Sequence, residues 1–126
     1  MVAHARDQRP RECCGLLVGG AGQVLMARRA ANLSADPNRY LIDPKAHLDA
    51  RRDGRVQGFE VVGFYHSHPH SAPVPSPTDI AEAWYPDHLY AIVGFVGDRA
   101  DTRIYELRDA RFVELALTVL SDPVEE

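Results

Sequence analysis

The chain has no apolar run approaching the ~20 residues that a membrane-spanning helix needs. Its opening residues, Met1-Val2-Ala3-His4-Ala5-Arg6, hold no apolar stretch of the kind a secretory leader carries. Cysteine is scarce: Cys13 and Cys14 are adjacent and cannot build a disulfide framework. Their neighbours Gly15, Leu16, Leu17 and Val18 make them read as small core residues, and together these absences point to a reducing cytoplasm. Basic charge is also short, with a formal net charge of −4 and scattered arginines, the closest cluster being Arg51-Arg52 beside Asp53. No basic stripe is present to follow a phosphate backbone, which argues against nucleic acid as a partner. Internal repeats and low-complexity segments are absent.

What is present suits one domain over residues 1–126, with 122–126 expected as a flexible acidic tail. A chain this long buries roughly two-thirds of its unfolded surface, enough for a core. Residues 1–9 can end a helix that Pro10 stops. Cys13 to Gly19 is a short continuous apolar run, predicting a strand buried on both faces, and Gly19 to Gly22 predicts a turn into a returning arm, Val24 to Ala30. A loop over Asn32–Asn38 precedes a short strand, Arg39–Ile42. Asp43-Pro44 is a helix start, and the helix is expected to run on the surface to about Arg52 and end near Gly54. Phe59 to Tyr65 predicts a buried strand leading into His66. Four prolines between Pro69 and Pro77 make the next segment stiff and extended. A helix is expected from Ser76-Pro77 through about Tyr85, with Ile80 and Trp84 on one face. Strands follow at Leu89–Val96, Thr102–Leu107 and Phe112–Val119. Mixed strands and helices indicate an α/β domain with a central mixed sheet flanked by helices.

The chemistry concentrates in His66-Ser67-His68-Pro69 and Ser76-Pro77-Thr78-Asp79. Residues i and i+2 of a strand point to one face, so His66 and His68 project together, with Val62 and Phe64 expected on the same face. Their Cα atoms lie about 6.5 Å apart in a strand, workable for Zn–N bonds of about 2.0–2.1 Å. Two imidazoles and a carboxylate give a divalent metal three protein ligands and leave a fourth position open, the mark of a catalytic rather than a structural zinc. Taken singly, each half is ordinary. His-x-His pairs are commonly surface or satisfied core histidines, and Ser-Pro-x-Asp is a helix start resembling a capping box. The two readings of the second half are compatible, because a serine hydroxyl can accept from a backbone amide while donating its proton to a substrate oxygen. His70 reads as a loop residue and His88 as a turn residue; His4 and His47 carry no signal.

The combination resembles the JAMM motif of the MPN+ (Mov34/PAD-1) metalloproteases: a distant glutamate, His-Ser/Thr-His-Pro, then Ser-x-x-Asp after seven residues, here Pro69 to Pro75. Pro10-Arg11-Glu12-Cys13-Cys14-Gly15-Leu16-Leu17-Val18-Gly19 is similar to the family's glutamate-bearing strand. The resemblance implies a JAMM/MPN sandwich related to cytidine deaminases, although the deaminase Pro-Cys-x-x-Cys is absent. It further implies zinc held by His66, His68 and Asp79 with water as fourth ligand, Glu12 as general acid/base, and Ser76 at the oxyanion. Cys13-Cys14 and the short connection to Ser76 resemble the small bacterial branch, some of whose members act on ubiquitin-like sulfur-carrier proteins, one type releasing cysteine from the carrier's C-terminal glycine. The partner so implied is a carrier tail or a peptide. A tail ending in Gly-Gly is expected to enter as an added strand near the end of Phe59–His68. The alternatives are a hydrolase of another small peptide or amide and a non-catalytic MPN scaffold. The sequence leaves a homodimer open.

Overall fold

The computed structural model describes residues 1–118 and 124–125, the last two by backbone alone. The expectation of a flexible tail over 122–126 falls partly on residues outside those described, and so does Val119 of the last expected strand.

The elements in chain order are α1 (Val2–Gln8), β1 (Cys14–Gly20), β2 (Gln23–Ala30), α2 (Pro44–Val56), β3 (Glu60–His68), α3 (Pro77–Ala81), β4 (Leu89–Val96), β5 (Arg99–Arg108), β6 (Arg111–Leu115) and β7 (Val124–Glu125). They build one mixed sheet in the order β6-β5-β4-β3-β1-β2-β7. β3 and β4 are parallel, with α3 in their crossover, and β1 runs antiparallel to β3 on its other side. The β1–β2 hairpin turns through Ala21 and Gly22 and the β5–β6 hairpin through Asp109 and Ala110, all four at positive φ. Such paired left-handed residues match the twist of two-residue hairpins.

Two apolar layers cover the sheet. On one face Ala5 of α1 packs with Cys13, Leu17, Tyr65, Ala91, Val93 and Phe95. On the other, Ala50 of α2 packs with Leu16, Val18, Val61, Phe64 and Tyr90. The central strands are apolar on both faces because both faces are covered, which is why they read as continuous runs. Cys13 and Cys14 are buried free thiols.

Several expectations are corrected. α2 continues through Gly54 to Val56, because Gly54 lies against the sheet, where an added Cβ would stand 3.3 Å from the Phe59 carbonyl oxygen. Arg39–Ile42 is not a strand; it contributes a single bridge, Asn32 to Ile42. α3 stops at Ala81 rather than reaching Tyr85. The Tyr85 amide donates to the Tyr90 hydroxyl of β4 at 3.2 Å, not to a preceding turn, and Trp84 is left 76% exposed. Val62 does not share the face of Phe64. The β1–β3 register slips between Leu17 and Val18, so β3 bulges there and Val62 joins the opposite layer. β3 is paired with both β1 and β4 over Gly63–His66, so an added substrate strand would find no free edge along those four residues. His4, which carried no sequence signal, is buried with its Nδ1 2.7 Å from the Tyr65 hydroxyl. Among the described residues no helix is long and apolar enough to cross a membrane.

Candidate functional site

His66 and His68 close β3 at its carboxyl end, beside the parallel neighbour β4, where open α/β sheets commonly place ligands. Both imidazoles lie on the α2 face with Phe64. The chain then leaves the sheet through the proline segment, which is pinned and not free. The Phe95 amide donates to the Ser71 carbonyl at 2.8 Å, and the Tyr105 hydroxyl donates to the Pro73 carbonyl at 2.8 Å. Pinning delivers Ser76 as the N-cap of α3. Its Oγ accepts from the Asp79 amide at 3.0 Å, while the Ser76 amide donates to Asp79 Oδ2 at 2.9 Å. This is a reciprocal capping box with Asp in the place usually taken by Glu or Gln, and it aims the Asp79 carboxylate at the histidines.

Asp79 turns one oxygen toward each ring, Oδ1 at 3.2 Å from His66 Nε2 and Oδ2 at 3.0 Å from His68 Nε2. The two Nε2 atoms are 3.2 Å apart. The separation of the two Nε2 atoms is close to the ~3.3 Å edge of a tetrahedron built on bonds of about 2.0–2.1 Å, the length of zinc–nitrogen bonds, and with one carboxylate oxygen of Asp79 the ligand atoms all lie within 4.8 Å of one another. His68 Nδ1 lies 3.0 Å from the Ala72 carbonyl, which can only accept, so Nδ1 carries a proton and Nε2 is left to face the site. Such a partner fixes the tautomer of a ligating histidine. His66, His68 and Asp79 are all buried and form a group able to hold a metal ion.

Burial holds the His66 imidazole below its ordinary pKa, favouring the neutral form that binds metals. Burial acts the same way on His68, but the contacts with Asp79 and the Ala72 carbonyl outweigh it and raise the value. For Asp79, burial alone would raise the carboxyl; the two imidazoles outweigh it and hold the group well below the usual carboxylate range. Asp79 is therefore ionised at neutral pH.

Glu12 enters from the other neighbouring strand. Cys14 pairs with His66, and the Ser67 amide donates to the Cys13 carbonyl at 3.1 Å. Continued in the same direction, the chain just before β1 brings Glu12 alongside His68, whose charge bears on it. Its side chain is 8% exposed, and Oε1 is the one buried side-chain oxygen or nitrogen without a hydrogen-bond partner among the described residues. Burial, countered in part by His68 and reinforced by Asp79, raises its pKa to about 8. A carboxyl poised near neutrality, unpaired and beside a ligand set, suits proton transfer.

A family model described as prokaryotic homologs of the JAB domain matches residues 1–108. The chain belongs to this family. Its JAB relatives include a desampylase of Haloferax volcanii, 38% identical over 99 residues, covering 73% of this chain and 71% of that one. They also include a CysO-cysteine peptidase of Mycobacterium tuberculosis, 35% identical over 120 residues, covering 94% and 80%. Among solved structures, a protein of Desulfitobacterium hafniense superposes with a TM-score of 0.81 at 27% identity, covering 100% of this chain and 86% of its own. The JAMM/MPN sandwich expected from the motif is the fold of this JAB domain.

The structure brings together His66, His68, Asp79, Glu12 and Ser76. It also adds Tyr40, which the sequence did not single out. The Tyr40 ring stacks on His66, centroids 4.3 Å apart and planes 17° from parallel. Burial pushes its hydroxyl pKa well above the ordinary tyrosine value. The only local signal was an aromatic residue three positions before the α2 cap, next to Leu41 and Ile42. His70 is exposed in the proline segment, and the His88 Nδ1 turns back to the Pro86 carbonyl at 2.9 Å.

Proposed function

We propose that this chain is a zinc-dependent peptidase that hydrolyses an amide bond at the C-terminal glycine of a ubiquitin-like, sulfur-carrier type of protein. The observation that carries this reading is the buried, unpartnered Glu12 carboxyl set beside the His66–His68–Asp79 donors. A scaffold has no use for an orphaned buried carboxyl, which costs stability. The names of the two curated relatives, a desampylase and a CysO-cysteine peptidase, support the substrate class.

His66, His68 and Asp79 would hold the ion, and zinc, when bound, supplies Lewis acidity that activates water and polarises the scissile carbonyl. Glu12 takes the proton of the attacking water at its free Oε1 and returns it to the departing amine, and a pKa near 8 lets it serve in both directions. Ser76 Oγ accepts from the Asp79 amide and keeps its own proton for the developing oxyanion. Tyr40 covers one face of His66 and keeps water from it. A Gly-Gly tail brings no side chain to the site.

The test incubates the zinc-loaded protein with sulfur-carrier proteins bearing an extra C-terminal amino acid and reads release by mass spectrometry, with Glu12→Gln alongside. The wild-type chain should release the added residue. Glu12→Gln should keep its zinc and lose about 10²–10⁴-fold in turnover, the range for a lost general acid/base. Carriers left intact by zinc-loaded wild type would move the reading to another peptide or amide substrate. Full activity in Glu12→Gln would remove Glu12 from the chemistry.

A further inference from the structure

The Glu12 side chain lies outside the β1 ladder and has no hydrogen bond at Oε1, so its aim must come from its backbone. That backbone is held at three points. The Glu12 amide donates to the Pro37 carbonyl at 3.0 Å. The Cys13 amide donates to Ser67 Oγ, the residue between the two histidines, at 2.8 Å. The Glu12 carbonyl, on the same peptide unit as that amide, accepts from Asn32 Nδ2 at 3.0 Å.

Asn32 does more than close this clamp. Its Nδ2 also donates to the Arg39 carbonyl at 3.0 Å, and its Oδ1 accepts from the amides of Ser34 and Leu41, each at 3.0 Å. A carboxamide has two donors and two acceptor sites, and here all four are committed to backbone groups. The arrangement admits one orientation, since a flipped amide would set its oxygen against two carbonyls. Arg39 and Leu41 bracket Tyr40, the ring stacked on His66. One side chain therefore fixes the peptide of Glu12 and both flanks of Tyr40.

We propose that Asn32 is a positioning residue, holding the Glu12 carboxyl and the Tyr40 ring in one register around the ligand His66. This rests on the zinc-peptidase reading above. No similar side chain can substitute. Aspartate would turn a carboxylate oxygen toward the Glu12 and Arg39 carbonyls, and serine is too short to span four groups.

The experiment uses the zinc-loaded full chain with Asn32→Asp, which keeps the acceptor for Ser34 and Leu41, and Asn32→Ala, each made with and without Glu12→Gln. Zinc content, kcat, KM and amide exchange at Glu12 and Cys13 are measured. Displacement of a catalytic group by about 1 Å costs on the order of 10² in rate, so kcat should fall by about that factor in Asn32→Asp, with KM and zinc content near wild type. On the Glu12→Gln background the same substitution should cost far less, since only the placing of Tyr40 remains to be lost. Amide exchange at Glu12 and Cys13 should quicken while Leu17 in the core stays protected. Unchanged kcat in Asn32→Asp, or equal losses with and without Glu12, would overturn the proposal. Should the wild-type protein cleave no carrier, the functional reading alone fails. Asn32 is then judged by exchange: faster exchange at Glu12 and Cys13 in Asn32→Asp supports its positioning role, and unchanged exchange refutes it.

Discussion

Glu12 shows how much a single residue gives up for its position. One oxygen of this carboxyl is buried without a partner, and burial raises the group's pKa from 4.5 to about 8. Between those values the folded chain keeps a proton that the unfolded chain has released. Stability must therefore fall as pH rises through that window, by up to several kcal/mol at about 1.4 kcal/mol per unit. Below about pH 4.5 both states are protonated and the contribution vanishes. Glutamine in that place carries no charge at any pH. Metal-free Glu12→Gln should match wild type in urea unfolding near pH 4 and exceed it by a few kcal/mol near pH 9. Equal stability at both pH values would show that Glu12 is not buried in the way described. The same residue that lowers stability at alkaline pH is the one the proposed chemistry requires, a trade common at active sites.

At the scale of elements, the proline segment between β3 and α3 decides whether His66, His68 and Asp79 meet. It lies on Gly94 of β4 so closely that an added Cβ would stand 2.4 Å from the Pro73 nitrogen and 2.6 Å from the Ala72 carbonyl carbon. Both are backbone atoms and cannot rotate away. Gly94→Ala should push the segment off the sheet, drawing the Ala72 carbonyl away from His68 Nδ1 and displacing α3 with Asp79. The expected result is a loss of about 1–3 kcal/mol from overpacking, together with weakened metal binding, read by unfolding and by titration with zinc. Unaltered zinc affinity would show that the segment does not set the ligand geometry. Much of this site was legible in the sequence because it is local. His66 and His68 share a strand face, and a short proline-stiffened segment leads to a self-capping helix start that carries Asp79. What escaped depends on tertiary contacts. Glu12 came from the family resemblance and not from spacing, because it reaches the site only through antiparallel pairing of β1 with β3. The end of α3 is set by the Tyr90 hydroxyl, and Val62 is turned over by a bulge that no local pattern announces. Asn32 looked like an ordinary loop residue and Tyr40 like part of a short strand, because their partners are backbone groups and one ring.

Across the whole molecule, the two parts of the ligand set differ in what holds them. His66 and His68 belong to the central strand, paired on both sides and covered on both faces. Asp79 belongs to a helix of five residues that buries Asp79 and little else, with Ile80 43% exposed. A helix this short draws almost no stability of its own, so α3 keeps its place through the capping box, the pinned proline segment, the Arg39–Glu82 ion pair and the contacts of Asp79 with the histidines. An ion shared by β3 and α3 would join a short, thinly packed helix to the central strand of the sheet. Linkage gives the size of the effect: a ligand at 1,000 times its Kd adds about 4 kcal/mol to unfolding. Zinc should therefore raise the melting temperature in a concentration-dependent way, and Asp79→Ala should abolish the dependence. The local consequence is more telling. Chelation should speed amide exchange over residues 76–83 far more than in β1, β3 or β4, because local opening of α3 needs no unfolding of the sheet. The single tryptophan, Trp84, lies just beyond α3 and reports the same event through its fluorescence. Exchange that quickened uniformly across sheet and helix on chelation would contradict this picture, since it would mean that the metal supports the whole core and not the attachment of α3.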